Sequence, residues 1–487
     1  MSRTAVPLPV RDLTQIHADG TWKTATGTET VTLLDPATEQ PLGSTVLAGA
    51  ADVNAAVTSA RRALDHGPWG RSTPAERADV LERFADALEK HADDMSRLVT
   101  REMGMPLGFS LMNNVDAPAM VLRYYAGLSR GLEQEETRVP VGPGSRTVVR
   151  REPIGVAAVI PPWNYPVFLA ITKIAPALAA GCTVVFKPSV ETSLSGALLV
   201  RIAQEAGVPA GVFCFVPGGA ATGAELVRHP GIDRVAFTGA TSTGRLIGAE
   251  CGERLIPANL ELGGKSAAIV LDDADLEHTL QGLGFLSFLN TGQTCFAMTR
   301  VVATPGHYDR IVDGLAEIAR QQVIGDPLAP ATTTGPLVSA RQRETVEQYV
   351  ASGLAEGARL VTGGRRPDTP AKGWFYESAV FAEVGNGMRI AREEIFGPVV
   401  CVLRAADEDE AVAIANDCPY GLAGTVWTAD PEHGLDIGRR VRTGTFGVNG
   451  YPPDISAPWG GMKDSGGGRE YGPEGLESYR VVKSLYI

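Results

Sequence analysis

The chain has 487 residues, of which 44% are hydrophobic and 21% are charged. This length excludes a single small core and predicts about two or three domains of ~100–200 residues each, with the composition of a soluble globular protein. The net charge of −12 argues against nucleic acid as the main partner. Because no run reaches ~18 uninterrupted apolar residues, we expect no membrane-spanning helix.

The cysteine pattern indicates a reducing compartment. The sequence has no Cys-x-x-Cys pair and no apolar signal-peptide stretch near its start, so we predict no disulfide framework and no metal site. A cytoplasmic location is expected, where a thiol stays free. The six cysteines are Cys182, Cys214, Cys251, Cys295, Cys401 and Cys418.

Helical periodicity from about Ala51 to Glu102 predicts several helices, because Trp69 and Pro106 interrupt this region. From residue 154 onward, short β-branched or apolar runs alternate with helix-like segments. Such alternation predicts a parallel sheet in an α/β domain. The predicted strands are Ile154–Ile160, Thr183–Phe186, Val212–Val216 and Arg234–Phe237, and the predicted helices are Ser193–Ala206 and Ala221–Arg228.

A second alternation follows, and we place the domain change near Gly263 and Gly264. Two segments fit neither domain: 137–151 is typical of a β-hairpin and 481–487 of a strand. Their edges would be exposed unless paired, so pairing across subunits and a solvent-facing edge are both open. The later strands are predicted at Ala267–Val270, Val399–Leu403, Thr425–Trp427 and Thr445–Val448, and the later helices at Leu276–Leu289 and Glu408–Asn416.

Cys295 and Glu261, separated by 295 − 261 = 34 positions, carry the strongest chemical signal. A soft nucleophile and a carboxylate beside glycine-containing segments suggest covalent catalysis, followed by base-assisted attack of water. A cysteine among apolar neighbours is otherwise an inert core residue. The pair therefore needs support from other segments.

Three further segments supply that support. The glycine-bearing turn 237–245 follows a predicted strand and can present N–H groups to a pyrophosphate, although an ordinary tight turn is equally open. Lys187 ends another strand and could reach a nucleotide ribose, or be simply solvated. Asn164 lies in a loop with three prolines. Its amide could stabilise an oxyanion, or merely tie down the turn.

The chain resembles the aldehyde dehydrogenase family over nearly its whole length. Eight segments occur in the family's order, which is far more specific than any single motif. They are PPWNYP (161–166), VVFKPS (184–189), FTGATSTG (237–244), ELGGKS (261–266), GQTC (292–295), EEIFGPV (393–399), YGLAGTVW (420–427) and PWGGMKDSGGGRE (458–470).

The resemblance implies oxidation of an aldehyde to the carboxylic acid with NAD or NADP. Cys295 would form a thiohemiacetal and then a thioester, Asn164 and the Cys295 N–H would hold the oxyanion, and Glu261 would activate the hydrolytic water. Lys173 is also implied as a catalytic residue. The implied cofactor contacts are Ile160, Pro161, Trp163, Lys187, Ser189, Gly219, Phe237, Thr238, Gly239, Ala240, Gly244, Leu262, Glu394 and Phe396.

The resemblance also implies a fold and a domain organisation. A Rossmann-like NAD(P)-binding domain would comprise 1–133 and 153–263, and a second α/β catalytic domain 264–464. An oligomerisation arm of the β-hairpin and the C-terminal strand would comprise 134–152 and 465–487. We expect a homodimer or a homotetramer.

Departures from the family pattern concern the cofactor and the substrate. Val190 stands where NAD-selective members often carry glutamate, so NADP becomes possible, although we favour NAD. Ala240 stands where the family usually has serine, so one side-chain hydroxyl that would bond the pyrophosphate is missing. Phe296 follows the nucleophile where many relatives have a smaller residue. We therefore expect an apolar or aromatic aldehyde, in a pocket formed by Leu169, Phe288, Leu289, Phe296 and Trp459.

Two other functions compete with this interpretation. A thiol hydrolase would pair its cysteine with a base, commonly histidine, yet all seven histidines lie outside the eight segments. A non-catalytic protein of the same fold could have lost Cys295, Glu261 or Asn164, and all three are present. An assay with several aldehydes and either cofactor separates these classes.

Overall fold

The computed structural model describes residues 8–487. Residues 1–7, which belong to the predicted first domain and to the segment expected to lack a signal peptide, lie outside the described residues. Through residue 263 the strands are β1 (Asp12–Leu13), β2 (Gln15–Ala18), β3 (Thr21–Thr24), β4 (Thr30–Asp35), β5 (Gln40–Val46), β6 (Glu135–Arg138), β7 (Thr147–Pro153), β8 (Val156–Ile160), β9 (Thr183–Phe186), β10 (Phe213–Phe215), β11 (Arg234–Thr238) and β12 (Ala258–Glu261).

The helices of the same region include one π-helical turn, Met112–Asp116, and short 3-10 turns at Trp69–Arg71 and Val190–Thr192. The α-helices are α1 (Ala50–Asp65), α2 (Pro74–Lys90), α3 (Ala92–Met103), α4 (Leu107–Leu111), α5 (Ala117–Arg130), α6 (Pro166–Ala180), α7 (Ser193–Glu205), α8 (Ala220–Arg228) and α9 (Thr241–Glu253).

After residue 263 a 3-10 turn, Leu289–Gly292, lies shortly before Cys295. The strands are β13 (Ala267–Val270), β14 (Arg300–Ala303), β15 (Arg359–Thr362), β16 (Ala379–Ala382), β17 (Val399–Arg404), β18 (Tyr420–Gly421), β19 (Gly424–Trp427), β20 (Gly447–Val448), β21 (Met462–Lys463), β22 (Gly466–Gly467) and β23 (Arg480–Tyr486). The helices are α10 (Leu276–Phe288), α11 (Tyr308–Gln321), α12 (Ala340–Ala355), α13 (Arg389–Arg392), α14 (Glu408–Asn416), α15 (Pro431–Arg440) and α16 (Gly472–Glu477).

The first large sheet has the order β22-β12-β11-β8-β9-β10-β2-β3, and its five central strands are parallel. All residues of β8, β9 and β11 are buried, as expected for strands covered by helices on both faces. The chain passes from β8 to β9 on one side and returns with β11 on the other side of β8. Ligands bind in the crevice at such a switch point, outside the carboxyl ends of the strands.

The second large sheet has the order β15-β16-β17-β14-β13-β19-β20, with only β15 antiparallel. The predicted strands of this sheet agree with β13, β17, β19 and β20 to within about two residues. The prediction missed β14, β15 and β16 here, and β2, β3, β12 and β22 in the first sheet. β14 and β16 are fully buried runs of only four residues, which periodicity alone does not assign to a strand, and the other missed strands are short or partly exposed.

The third sheet joins the predicted hairpin to the C-terminal strand. β7 pairs antiparallel with β6 on one side and with β23 on the other. The hairpin and the C-terminal strand therefore pair with each other within a single chain. The sequence analysis did not predict this pairing. Among residues 8–487 no strand pairs with the outer edges of β6 and β23, and most of β23 is exposed.

Candidate active site

Glu261 lies at the carboxyl edge of the first sheet, as the last residue of β12. Ile160 ends β8, Lys187 follows β9 and Thr238 ends β11. Because the carboxyl ends of parallel strands meet at one edge, residues scattered over about a hundred positions border one crevice. Pro161 directly follows the end of β8 and lies at the same edge of the sheet.

Cys295 follows α10 through a loop with an unusual backbone. Asn290 and Thr291 have φ values of 50° and 58°, in the left-handed region that few residues other than glycine adopt. The loop is tied down on both sides: Asn290 Nδ2 donates to the carbonyl of Asn164 at 3.0 Å, and Thr291 Oγ1 donates to that of Gly335 at 3.1 Å. Such strain persists only where surrounding contacts hold it.

Asn164 lies directly against this loop. Its Nδ2 donates to the carbonyl oxygen of Gln293 at 2.9 Å, and the residue is 2% exposed. An amide nitrogen has two hydrogens, so one remains for a second acceptor. The neighbouring Tyr165 hydroxyl bonds Thr294 Oγ1 at 2.7 Å. Two side chains of the proline-rich loop thus fix the backbone just before Cys295.

Cys295 differs from the other cysteines in exposure. It is partly exposed, whereas the other five are buried. Burial of the sulfur, followed by the negative charges of Glu394 and Glu261, raises the pKa of Cys295 to about 12. A positive charge brought beside the thiol would lower that pKa.

Glu261 is a buried carboxylate, 4% exposed, whose two oxygens accept no hydrogen bond of normal geometry within residues 8–487, although the Trp459 side chain lies close enough to lower its pKa. Its pKa is raised well above the usual range, mainly by burial and then by the charge of Glu470, while Lys173 opposes the shift. A raised pKa makes a carboxylate a stronger base once it is ionised.

Lys173 forms a buried ion pair with Glu470, which the sequence analysis missed. The Nζ–Oε1 distance is 2.8 Å, and the side chains are 0% and 4% exposed. Asn259 Nδ2 donates to the same oxygen at 3.0 Å. The only sequence signal for Glu470 was its place at the end of the segment 458–470. Lys173 lies in α6, which begins at Pro166, and its buried side chain reaches this carboxylate.

Lys187 is 7% exposed and donates from Nζ to the carbonyls of Pro188 at 2.7 Å and Gly218 at 2.6 Å. Burial lowers the pKa of Lys187 to about 8, and the negative charge of Glu191 opposes this. The Ser189 hydroxyl donates to the Glu191 carboxylate. Glu191, whose direction could not be read from the sequence, therefore turns toward the loop that carries Lys187.

Glu394 lies beside the two glycines that follow Glu261. The N–H of Gly264 donates to Glu394 Oε1 at 3.0 Å, and a Cβ on Gly263 would lie 2.3 Å from Oε2. A Cβ on Gly264 would lie 2.3 Å from the carbonyl oxygen of Cys295. Both glycines are required by close packing. Burial raises the pKa of Glu394 to about 7.

Trp163 and Phe396 pack edge to face, with ring centroids 5.3 Å apart and an interplanar angle of 89°. Phe396 has a φ of 56°, and its carbonyl accepts a hydrogen bond from Gln342 Nε2 at 2.8 Å. The contact brings together the two predicted cofactor segments 161–166 and 393–399.

The glycines of the turn after β11 have packing roles that the sequence did not reveal. A Cβ on Gly239 would lie 2.5 Å from the Phe237 ring, and one on Gly244 would lie 2.4 Å from Leu262. The buried Thr238 hydroxyl has no hydrogen-bond partner in the described chain. The turn therefore combines close packing with an unused polar group.

Two helix N-termini fit a phosphate group. Ala240 precedes α9 and Gly219 precedes α8, and neither helix has a side-chain cap. The first-turn N–H groups of a helix have no partner within it and attract anions. A Cβ on Gly219 would meet no atom within 4 Å, so its surroundings are open. Together with Thr238 and Lys187, these residues fit a dinucleotide.

A cavity of about 340 Å³ contains Cys295 and Glu261. Of the predicted pocket residues, Leu169, Leu289, Phe296 and Trp459 line it. Additional lining residues, which the sequence analysis missed, are mostly apolar or aromatic: Phe109, Met112, Asn113, Ala117, Met120, Tyr165, Phe168, Phe285, Leu286, Tyr451, Pro453, Ile455, Glu470 and Tyr471.

Phe288 does not line this cavity. It is 5% exposed and packs in the core of the second sheet with Leu283 and Met298. It also borders a neighbouring cavity of about 310 Å³. Phe288 is the last residue of α10. On the same helix Leu286 lines the Cys295 cavity, and Phe285 borders both cavities.

No helix in the region 8–487 is long and apolar enough to cross a membrane.

Comparison with known proteins agrees with this geometry. The chain is 48% identical over 476 residues to geranial dehydrogenase of Castellaniella defragrans, with 98% of this chain and 99% of that protein covered. It is 40% identical over 480 residues to phenylacetaldehyde dehydrogenase of Pseudomonas fluorescens, with coverages of 97% and 95%.

A solved structure, Mycobacterium tuberculosis aldehyde dehydrogenase complexed with NAD+, matches with a TM-score of 0.95 and 42% identity, covering 98% of this chain and 99% of that one. The predicted α/β fold class and enzyme class are confirmed. The model of the aldehyde dehydrogenase family matches residues 22–485. The chain belongs to the aldehyde dehydrogenase family.

Proposed function

We propose that this protein oxidises an apolar aldehyde to the carboxylic acid with NAD or NADP as acceptor. The observation that carries the proposal is that Cys295 and Glu261 border the same apolar cavity. A nucleophile and a base in one cavity suit the formation and hydrolysis of an acyl intermediate. The four residues Cys295, Glu261, Asn164 and Lys173 are proposed as the catalytic set.

In the first step, Cys295 loses its thiol proton to water, the thiolate attacks the aldehyde carbon, and the carbonyl oxygen becomes an oxyanion. The remaining hydrogen of Asn164 Nδ2 and the N–H of Cys295 are the proposed donors to that oxyanion. Because Asn164 is held by Gln293, the donor is oriented before the substrate arrives, and pre-oriented dipoles are the most effective form of such stabilisation.

A bound nicotinamide cofactor would supply the hydride acceptor that turns the thiohemiacetal into the thioester. Glu394 is proposed to hold its ribose, while Trp163 and Phe396 form one wall of its cleft. The remaining proposed contacts border the carboxyl edge of the first sheet: Ile160, Pro161, Lys187, Ser189, Gly219, Phe237, Thr238, Gly239, Ala240, Gly244 and Leu262.

In the last step, Glu261 takes a proton from water, and the hydroxyl oxygen attacks the thioester and releases Cys295. The unpaired oxygens of Glu261 are available for this contact. Lys173 is proposed to act indirectly, because its ion pair with Glu470 limits the negative charge near Glu261.

The substrate is proposed to be an apolar or aromatic aldehyde. Phe296 packs against Tyr451 and Trp459 at ring-centroid distances of 5.4 and 5.7 Å. No Lys or Arg is among the residues that line the cavity, so a carboxylate-bearing aldehyde would find no cation there. The names of two relatives, geranial and phenylacetaldehyde dehydrogenase, support the same class.

NAD is the favoured cofactor. Glu191 accepts a hydrogen bond from Ser189 and lies close enough to Lys187 for its negative charge to oppose the lowering of the Lys187 pKa by burial. A carboxylate beside the proposed ribose site repels a 2′-phosphate. Glu191 would thus take the role of the glutamate that NAD-selective members of the family often carry at the position of Val190. The solved relative in complex with NAD+ supports the choice.

We further propose a cytoplasmic homodimer or homotetramer that associates through the arm of residues 134–152 and 465–487. Free thiols at all six cysteines support the location. The unpaired outer edges of β6 and β23 support the association. The proposed cofactor domain comprises 1–133 and 153–263, and the catalytic domain 264–464.

The proposed hydrolytic step is tested with Glu261→Gln. We expect a first burst of reduced cofactor of normal size, because Cys295 still forms the thioester, followed by slow turnover. Cys295→Ala should abolish the burst as well. A normal steady-state rate for Glu261→Gln would refute the role of Glu261, and a burst from Cys295→Ala would refute that of Cys295.

A further inference from the structure

Glu102 is a buried carboxylate that takes no part in the proposed chemistry. It lies in the last turn of α3 and is 2% exposed. Its oxygens accept the N–H of Leu194 at 2.8 Å and that of Ser195 at 3.1 Å. No Lys, Arg or His of the described chain forms an ion pair with it.

The two donors belong to the first turn of α7, whose N–H groups have no partner within the helix. The residue before α7, Thr192, provides no side-chain cap. Glu102 therefore replaces the missing cap from a distant part of the chain. Burial raises the pKa of Glu102 to about 8, so a neutral side chain with a carbonyl oxygen is its closest mimic.

The first turn of α7 is in turn bonded to the loop after β9. Ser193 Oγ donates to the carbonyl of Ser189 at 3.2 Å and to that of Val190 at 2.9 Å. Lys187 and Ser189 lie in this loop. A short series of hydrogen bonds thus leads from α3, through α7, to the proposed adenosine-ribose contacts.

We propose that Glu102 is a positioning residue for cofactor binding, which orients the loop of Lys187 and Ser189 by holding the first turn of α7. This inference rests on the proposed function, because the loop must contact the cofactor. If Glu102 were only a structural cap, its loss would lower the stability of the fold. The affinity for cofactor would then change no more than other properties of the site.

The test compares Glu102→Met, which removes the acceptor at similar length, with Glu102→Gln, which keeps one. The matched control is Asp233→Ala, because Asp233 accepts the N–H of Val156 at 2.7 Å at the opposite, amino-terminal edge of the same sheet. We measure the Kd for NAD+ by titration, kcat at saturating NAD+, and the cofactor-independent hydrolysis of p-nitrophenyl acetate by Cys295.

Loss of the buried acceptor should raise the Kd of Glu102→Met about tenfold, with Glu102→Gln within about threefold of the wild type. Asp233→Ala should keep the wild-type Kd, and ester hydrolysis should be unchanged in all three variants. If Glu102→Met does not fold, Ser193→Ala tests the same series of bonds, and its Kd should rise by about threefold.

A wild-type Kd in folded Glu102→Met, or in Ser193→Ala when Glu102→Met does not fold, would overturn the inference. Parallel losses of NAD+ affinity and ester hydrolysis would also overturn it, because they indicate general damage. A wild-type enzyme that binds neither NAD+ nor NADP+ would instead refute the proposed function itself, so the two failures are distinguishable.

Discussion

The side-chain amide of Asn164 donates to the carbonyl oxygen of Gln293 at 2.9 Å, two residues before Cys295. The bond leaves one amide hydrogen for the oxyanion. Asn164→Ala removes both, so we expect kcat to fall about 10²- to 10³-fold, as for the loss of one oxyanion donor. Pre-steady-state measurement of cofactor reduction checks this. Tyr165→Phe, which loses only the bond to Thr294, should retain most of the rate, and equal losses would indicate a loop defect.

The pH profile should follow the ionisation of Glu261. Its pKa is raised by burial and by the charge of Glu470. Only the ionised form accepts a proton from water, so thioester hydrolysis should increase as pH rises through this elevated pKa. Glu470→Gln removes the negative charge that raises the pKa of Glu261, so the midpoint should move to lower pH. A midpoint that moves upward would contradict this electrostatic account.

Cofactor preference should depend on Glu191. Glu191→Gln removes a negative charge beside Lys187, so the kcat/KM for NADP should rise about tenfold while that for NAD changes little. Steady-state kinetics with both cofactors measure the ratio. Glu253→Gln, at the far end of α9, is the charge-matched control. Equal ratios in the two variants would exclude Glu191 as the discriminating residue.

Substrate preference should depend on Phe296. Phe296→Ser removes a large apolar contact from the cavity, so kcat/KM for long or aromatic aldehydes should fall about ten- to a hundredfold. Acetaldehyde, which cannot reach the same contact, should be affected less. Phe288→Leu is the matched comparison because Phe288 faces the core. A similar change of selectivity in both variants would contradict the separate positions of the two rings.

The sequence predicted most of the parallel strands, because strands such as β9 and β13 are fully buried runs of mostly β-branched or small apolar residues. The edge strands lacked such a pattern and were missed, and so were the short buried strands β14 and β16. The sequence proposed Cys295, Glu261 and Asn164 as site residues through their segments, and the structure places Cys295 and Glu261 in one cavity and Asn164 against the loop before Cys295. The pairing of Lys173 with Glu470 was not predicted, because it depends on contacts between residues nearly three hundred positions apart. Helical phase alone could not separate Phe288 from Phe285.

The contact of Gly264 with the Cys295 carbonyl, and of Gly263 with Glu394, has an evolutionary consequence. The proposed nucleophile and the proposed cofactor ligand meet at two glycines that cannot acquire a side chain without displacing one of them. The cavity wall, by contrast, is built largely from helical and loop residues away from this junction, such as Met120 and Ile455. Descendants of this chain can therefore exchange aldehydes by mutating the wall, while the reaction geometry is inherited unchanged.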